Sequence, residues 1–272
     1  MIRCDLVPSV RSSFVLAATL ALSGCGAVPR SADPVTAPTP VRLDLTPQEV
    51  DLQWAAAERH FRRGKWVDAI TALERVALEL TPGDQRIARA RFYLAESHFA
   101  TKSHLQAVRE FRRVSDEMPG DPLAADALLR AGDAFAALWR RPELDPTYAS
   151  TAISTYQELQ SRFAGTPAAR LAAVRVTTLQ DALARKQYGA AEFYLRYKAY
   201  DSAILYLKEL ASMYPRASVV PEALLRLIGV YQLLGYSEDV RETCVYLQRF
   251  HANSPGVAAA CNAPATPPAG NG

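Results

Sequence analysis

Apolar residues along this chain recur at three- and four-residue intervals, and the small ones keep a longer beat of their own. The stretch Ala190 to Pro215 reads AAEFYLRYKAYDSAILYLKELASMYP. Ala191 and Ala203 stand twelve apart, Tyr194, Leu207 and Leu210 follow helical spacing, and Pro215 closes the run because a helix cannot continue through it. Two amphipathic helices joined by a short turn fit this spacing, with the alanines where the helices approach most closely. The couplet of Ala with Ile or Val returns at Ala69-Ile70, Ala107-Val108, Ala152-Ile153 and Ala203-Ile204, and degenerately at Asp239-Val240, in steps of 38, 45, 51 and 36 residues. Twelve residues before the couplet alanine lies a small residue with a ring three further on: Ala57/His60, Ala95/His98 and Ala191/Tyr194. Gly132/Phe135 continues the series, but its partner Ala152 is 20 away, so about 8 residues are inserted around Arg140 to Thr147. The units close at Pro82-Gly83-Asp84, Pro119-Gly120-Asp121, Gly165-Thr166-Pro167 and Pro215.

This is the pattern of the tetratricopeptide repeat, a helical hairpin of about 34 residues that buries its apolar face by stacking on its neighbours. The predicted fold is all-α: ten helices in five hairpins, stacked as a right-handed solenoid, with repeats at about 47–82, 84–119, 122–166, 167–215 and 219–251. Between the third and fourth units the spacing exceeds a plain repeat by about 17 residues, and only Gly189 interrupts a helical reading of Pro167 to Lys198. One lengthened helix is predicted there. Thr46-Pro47-Gln48-Glu49 opens the folded part as a capping box with proline at the first helical position. Residues 252–272, ANSPGVAAACNAPATPPAGNG, have a disordered composition.

The N-terminus reads as a targeting segment. Arg3 and Arg11 supply a basic region, and Phe14 to Leu22 is an apolar run of 9 residues, too short to span a bilayer. The following Leu22-Ser23-Gly24-Cys25 resembles a bacterial lipobox. That resemblance implies removal of residues 1–24 as a signal peptide and acylation of Cys25, so that lipid alone holds the chain to the membrane. Gly26 stands where an Asp would resemble an inner-membrane retention signal, which favours the periplasmic face of the outer membrane. Residues 25–46, with four prolines, are expected to form a disordered tether that reaches roughly 60 Å.

With 272 residues, 49% hydrophobic and 22% charged, the composition is that of an ordinary globular chain. Loss of residues 1–24 moves the net charge from +3 to +2, far too weak for a nucleic-acid binder. Cys244 and Cys261 either pair, stapling the last helix to the tail, or remain two thiols; there is no CxxC, so neither state implies redox catalysis. Of the histidines, His60 and His98 fall where the repeat wants a packing ring. With no GxSxG, HExxH or phosphate-binding loop, no catalytic residue, cofactor or metal site is expected, and the chain does not read as an enzyme.

Function is therefore sought on the surface. In such solenoids the first helix of each hairpin lines the concave groove, and repeat phase puts Trp54, Phe61, Arg62, Arg89, Phe92 and Phe99 there. Either these rings wait for an extended peptide with aromatic side chains, whose free C-terminus the arginines would take, or they pack on neighbouring helices. A second candidate surface, on the long helix and fourth hairpin, mixes cations with rings: Arg185, Lys186, Tyr188, Tyr197 and Lys198.

Leu183-Ala184, Ala191-Glu192-Phe193-Tyr194, Ala199-Tyr200, Tyr214-Pro215 and the Asp145-Pro146 insertion, taken with the lipobox, resemble the BamD (ComL) family of outer-membrane lipoproteins. The resemblance is strongest over residues 145 to 215. It implies a non-enzymatic scaffold of the β-barrel assembly machinery, whose N-terminal repeats engage C-terminal signals of unfolded outer-membrane proteins and whose C-terminal repeats dock a POTRA domain of the barrel subunit. A lipid-anchored adaptor for another envelope machine, in pilus or secretin assembly or Tol-associated, would share the anchor and repeats but lack the lengthened helix. Cys244 and Cys261 are not part of the family pattern.

Overall fold

The structure, a computed structural model, describes residues 45–140 and 145–262. The signal peptide, Cys25, nearly all of the tether and the end of the tail lie outside the described residues. Thr46 caps the first helix as the capping box requires: its backbone N–H donates to Glu49 Oε2 at 2.7 Å, and Glu49 N–H donates back to Thr46 Oγ1. The hairpins are α1 (Pro47–Arg62) with α2 (Trp66–Glu79), α3 (Arg86–Ala100) with α4 (His104–Glu117), and α5 (Ala124–Leu138) with α6 (Thr147–Arg162). They continue with α7 (Pro167–Arg196) and α8 (Tyr200–Met213), then α9 (Val220–Leu234) and α10 (Ser237–Phe250). Among the described residues there is no strand, and α7 is the lengthened helix at 30 residues.

The alanine beat is the packing register. Ala57, Ala69, Ala95, Ala107, Ala152, Ala191 and Ala203 are all fully buried. Four residues after each couplet alanine stands a large side chain, also buried: Leu73, Phe111, Tyr156 and Leu207. Apolar clusters join the two helices of each hairpin and reach into the next, so each unit packs on its neighbours as well as within itself. Tyr156 is the largest of these side chains, and its layer holds Gly132 instead of alanine: a Cβ there would stand 2.4 Å from Tyr156 Cε1. The ring has little room to retreat, because its hydroxyl donates to Asp133 Oδ1 at 2.7 Å.

The turn within a hairpin repeats as well. Seven residues after the small position, Gly64, Lys102 and Lys198 all sit in the left-handed region, at φ +69, +63 and +58. Glycine accepts this conformation freely; the lysines bear a cost of roughly 1–2 kcal/mol each. Aspartates open the next helices: Asp84 and Asp121 accept the N–H two residues on, from Arg86 and Leu123, each at 2.8 Å.

The disordered composition of 252–272 needs correction over its first part. Val257–Asn262 form a short helix, α11, whose Val257 is buried in the last core cluster and whose Cys261 is bonded to Cys244 of α10. Val257 and Cys261, four apart, present one apolar face that the surrounding alanines and prolines mask in a composition count.

Gly132→Ala is expected to destabilise the chain by about 1–3 kcal/mol through overpacking, which outweighs the propensity gain of about 1 kcal/mol from alanine in a helix. Gly229→Ala, where nothing lies within 4 Å of the added Cβ, should stabilise by that propensity gain instead. Urea unfolding of the two variants checks the sign of each.

Candidate functional site

Six residues were expected to line one groove, and the structure divides them. Trp54 and Phe61, seven apart on α1, both reach Tyr93 of α3. Phe61 stacks on Tyr93 with centroids 4.1 Å apart, Trp54 lies parallel to it at 6.2 Å, and Trp66 meets Phe61 edge-on. Phe92 turns the other way, into the core of the second hairpin, edge-on to Phe111 at 5.4 Å. Phe99 lies beneath the Arg130 guanidinium at 4.3 Å and edge-on to His104. Arg62 is spent on Glu58 of its own helix at 3.2 Å, while Arg89 stands on exposed surface. The expected single aromatic groove is thus corrected to two ring sets packed between helices, since neighbouring helices, of the same hairpin or the next, cover the apolar stripe that periodicity exposes.

Repeat register explains what covers each ring. Tyr93 stands two residues before Ala95, and Arg130 two before Gly132. The same position therefore carries a stacking ring in one unit and a cation over a ring in the next. Neither residue was singled out from the sequence, although the register marks both.

Arg130 also centres a polar network on the first-helix side of hairpins 2 to 4. Its Nε and Nη2 donate to the two carboxylate oxygens of Glu96 at 2.6 and 2.9 Å, and its Nη1 donates to Asp133 Oδ2 at 2.9 Å. This paired geometry holds the guanidinium charged far beyond its ordinary range, through Glu96 first. Asp133 accepts from Tyr156 on its other oxygen, and Arg175 of α7 approaches that oxygen at 3.5 Å. Burial, and then the bond to Asp133, pushes the Tyr156 phenol up, so it remains a donor. Beside the network lies a cavity of about 340 Å³ bounded by Phe99, Ala136, Arg175 and Leu179.

The second candidate surface also separates into parts. Arg185 Nη2 donates to Ser218 Oγ at 2.9 Å, ahead of α9. Tyr188 donates to Glu222 at 3.0 Å and accepts from Arg226, both on α9. Burial pushes the Tyr188 phenol up to about 12. These two residues fasten the fourth hairpin to the fifth. Lys186 edges an open groove of about 890 Å³ between the second half of α7 and α8, lined by Leu183, Gly189, Ala190, Tyr206, Met213 and Tyr214. Tyr197, 71% exposed, packs on exposed Phe193 at the tip of the hairpin, next to Lys198. Gly189, the residue that interrupts the helical pattern in the sequence, lies within the continuous α7 and lines the groove beside Ala190. Among the described residues, no group of three or more His, Cys, Asp or Glu is placed to hold a metal ion.

A family profile described as outer membrane lipoprotein, YfiO, matches residues 48–246. The chain is similar to the outer membrane protein assembly factor BamD of Caulobacter vibrioides, 23% identical over 192 residues, covering 71% of this chain and 63% of that protein. It is also similar to the protein of the same name in Vibrio cholerae, 30% identical over 108 residues, covering 40% of this chain and 45% of that one. The chain thus spans less than two thirds of the length of either relative. A solved tetratricopeptide-repeat protein of Thermus thermophilus matches 79% of this chain and 100% of its own at 15% identity, with a TM-score of 0.35.

Phe92→Ala is expected to cost about 2 kcal/mol of stability, below the 3–5 kcal/mol of a fully buried ring because Phe92 is half-buried. Arg62→Ala should stay within about 0.5 kcal/mol of the parent. Urea unfolding distinguishes them, and a Phe92 variant as stable as the parent would return that ring to the open surface.

Proposed function

The chain belongs to the YfiO family of outer-membrane lipoproteins, and within that family we propose that it is a non-enzymatic scaffold of the β-barrel assembly machinery. On this reading Cys25 carries the acyl anchor at the periplasmic face of the outer membrane. The first-helix side of hairpins 1 to 3 receives the C-terminal signals of unfolded barrel proteins. The fourth hairpin docks a POTRA domain of the barrel subunit.

What supports this most is the extent of the family likeness. Residues 48–246 run from α1 into α10, so the likeness spans every hairpin. The surface chemistry is consistent with it: the groove between α7 and α8, apolar within and edged by Arg185, Lys186 and Glu209, and the exposed pair Phe193 and Tyr197 offer rings beside a charged rim, the composition of a protein-docking surface. The 30 residues of α7 favour this reading over an adaptor for another envelope machine, for which a plain repeat length is expected.

Replacing Phe193 and Tyr197 together by Ala should weaken retention of the barrel subunit about 30-fold, equivalent to about 2 kcal/mol, in pull-downs from detergent-extracted membranes. Both rings are exposed, so the fold should persist and circular dichroism should be unchanged. Undiminished retention would overturn the docking assignment, and purification of the parent chain without any barrel-assembly subunit would overturn the scaffold itself.

A further inference from the structure

The turn between α1 and α2 brings together cations that the fold leaves unpaired. Every residue from Arg62 to Asp68 is exposed, and this run with Arg59 carries Arg59, Arg62, Arg63 and Lys65. Arg62 answers Glu58 and Asp68 approaches His60, but no ion pair among the described residues takes up Arg59, Arg63 or Lys65. Two large apolar side chains stand open beside them: Trp66 is 36% exposed and Val67 69%. Trp66 folds across the turn itself, edge-on to Phe61 and 3.6 Å from the place of a Cβ on Gly64, whose φ of +69 makes the turn tight. Stacked hairpins put turns of one kind along one edge, and the next two hairpins keep its character. Lys102 and Arg140, at their turns, border one cavity of about 430 Å³, and neither forms an ion pair among the described residues. The opposite edge differs: Asp51, Asp84 and Glu117 hold its arginines, Arg86 and Arg91, in ion pairs.

Unpaired cations around a tryptophan and an open valine suit anionic headgroups over an apolar interior, where an indole settles at the boundary. Resting on the acyl anchor of the reading above, we propose that the α1–α2 turn lies against anionic phospholipid headgroups of the leaflet that holds the anchor. Lipid then meets the chain at two points, which fixes how the stack stands on the membrane. The lengths agree: the 16 residues of α1 set the turn about 24 Å from Thr46, and the 22 residues from Cys25 to Thr46 exceed that when extended.

The experiment places the full chain, purified from membranes, in nanodiscs of brominated phosphatidylcholine with and without phosphatidylglycerol, and reads quenching of tryptophan emission. The parent is compared with Arg63→Gln with Lys65→Gln, and with Trp66→Phe. All three positions are exposed and the two cations unpaired, so circular dichroism should be unchanged. Quenching of the parent should be about twofold greater in the anionic discs, and this excess should vanish in the double variant and in high salt. In Trp66→Phe it should fall sharply. Equal quenching in the two discs overturns the lipid contact while leaving the anchor intact, and hands the cations to an acidic protein partner. An excess undiminished in the double variant or in Trp66→Phe overturns its placement at this turn. If the chain enters neither disc, the anchor reading falls, and flotation of the same chain with phosphatidylglycerol vesicles tests the turn alone. Flotation that the double variant loses would support it, and flotation absent from the parent or retained by the variant would overturn it.

Discussion

Close approach of paired helices at one small residue is the constraint on which this structure depends. Wherever the chain places Ala57, Ala95, Gly132 or Ala191, the opposing helix brings a large side chain into the same layer, Leu73, Phe111, Tyr156 or Leu207. In the third hairpin the large partner occupies the space of the Cβ itself, since Tyr156 faces Gly132, which has none. Once that spacing is set, the within-hairpin turn and the position that covers the preceding ring are set as well. Register carries much of the surface with it.

Register also explains how one fold hosts different chemistry along its length. The position two before the small residue is Tyr93 in one unit and Arg130 in the next. As a ring it closes an aromatic stack with Trp54 and Phe61; as a cation it covers Phe99 and gathers Glu96, Asp133, Tyr156 and Arg175. The change converts a half-buried aromatic joint into a polar face beside open cavities, while a helix carries it in both units.

The repeat units and the lengthened α7 follow from spacing, because helix packing leaves a periodic mark on the chain. Sites leave less. Trp54, Phe61, Phe92 and Phe99 share a stripe on their own helices, but a stripe does not say whether another helix covers it, and that decision belongs to residues well outside the same helix, Tyr93, Phe111 and Arg130. Arg185 and Tyr188 have the composition of an interface and serve one, although it lies inside the chain, against Ser218 and Glu222. The groove between α7 and α8 is lined in part by Gly189 and Ala190, small residues that motif reading does not connect with a surface. In α11, two informative residues are diluted by alanine and proline.

A linear stack has two ends, each with a neighbour on one side only, and such ends open before the middle does. Here the ends are unequal. At one, α1 rests on the next hairpin through side-chain packing; at the other, the bond from Cys244 to Cys261 closes a loop of chain around α10 and α11 and removes much of the disorder that opening would release. Unravelling therefore has a direction, starting at α1 and reaching the cross-linked hairpin last, and a protease meets cleavable backbone at α1 first.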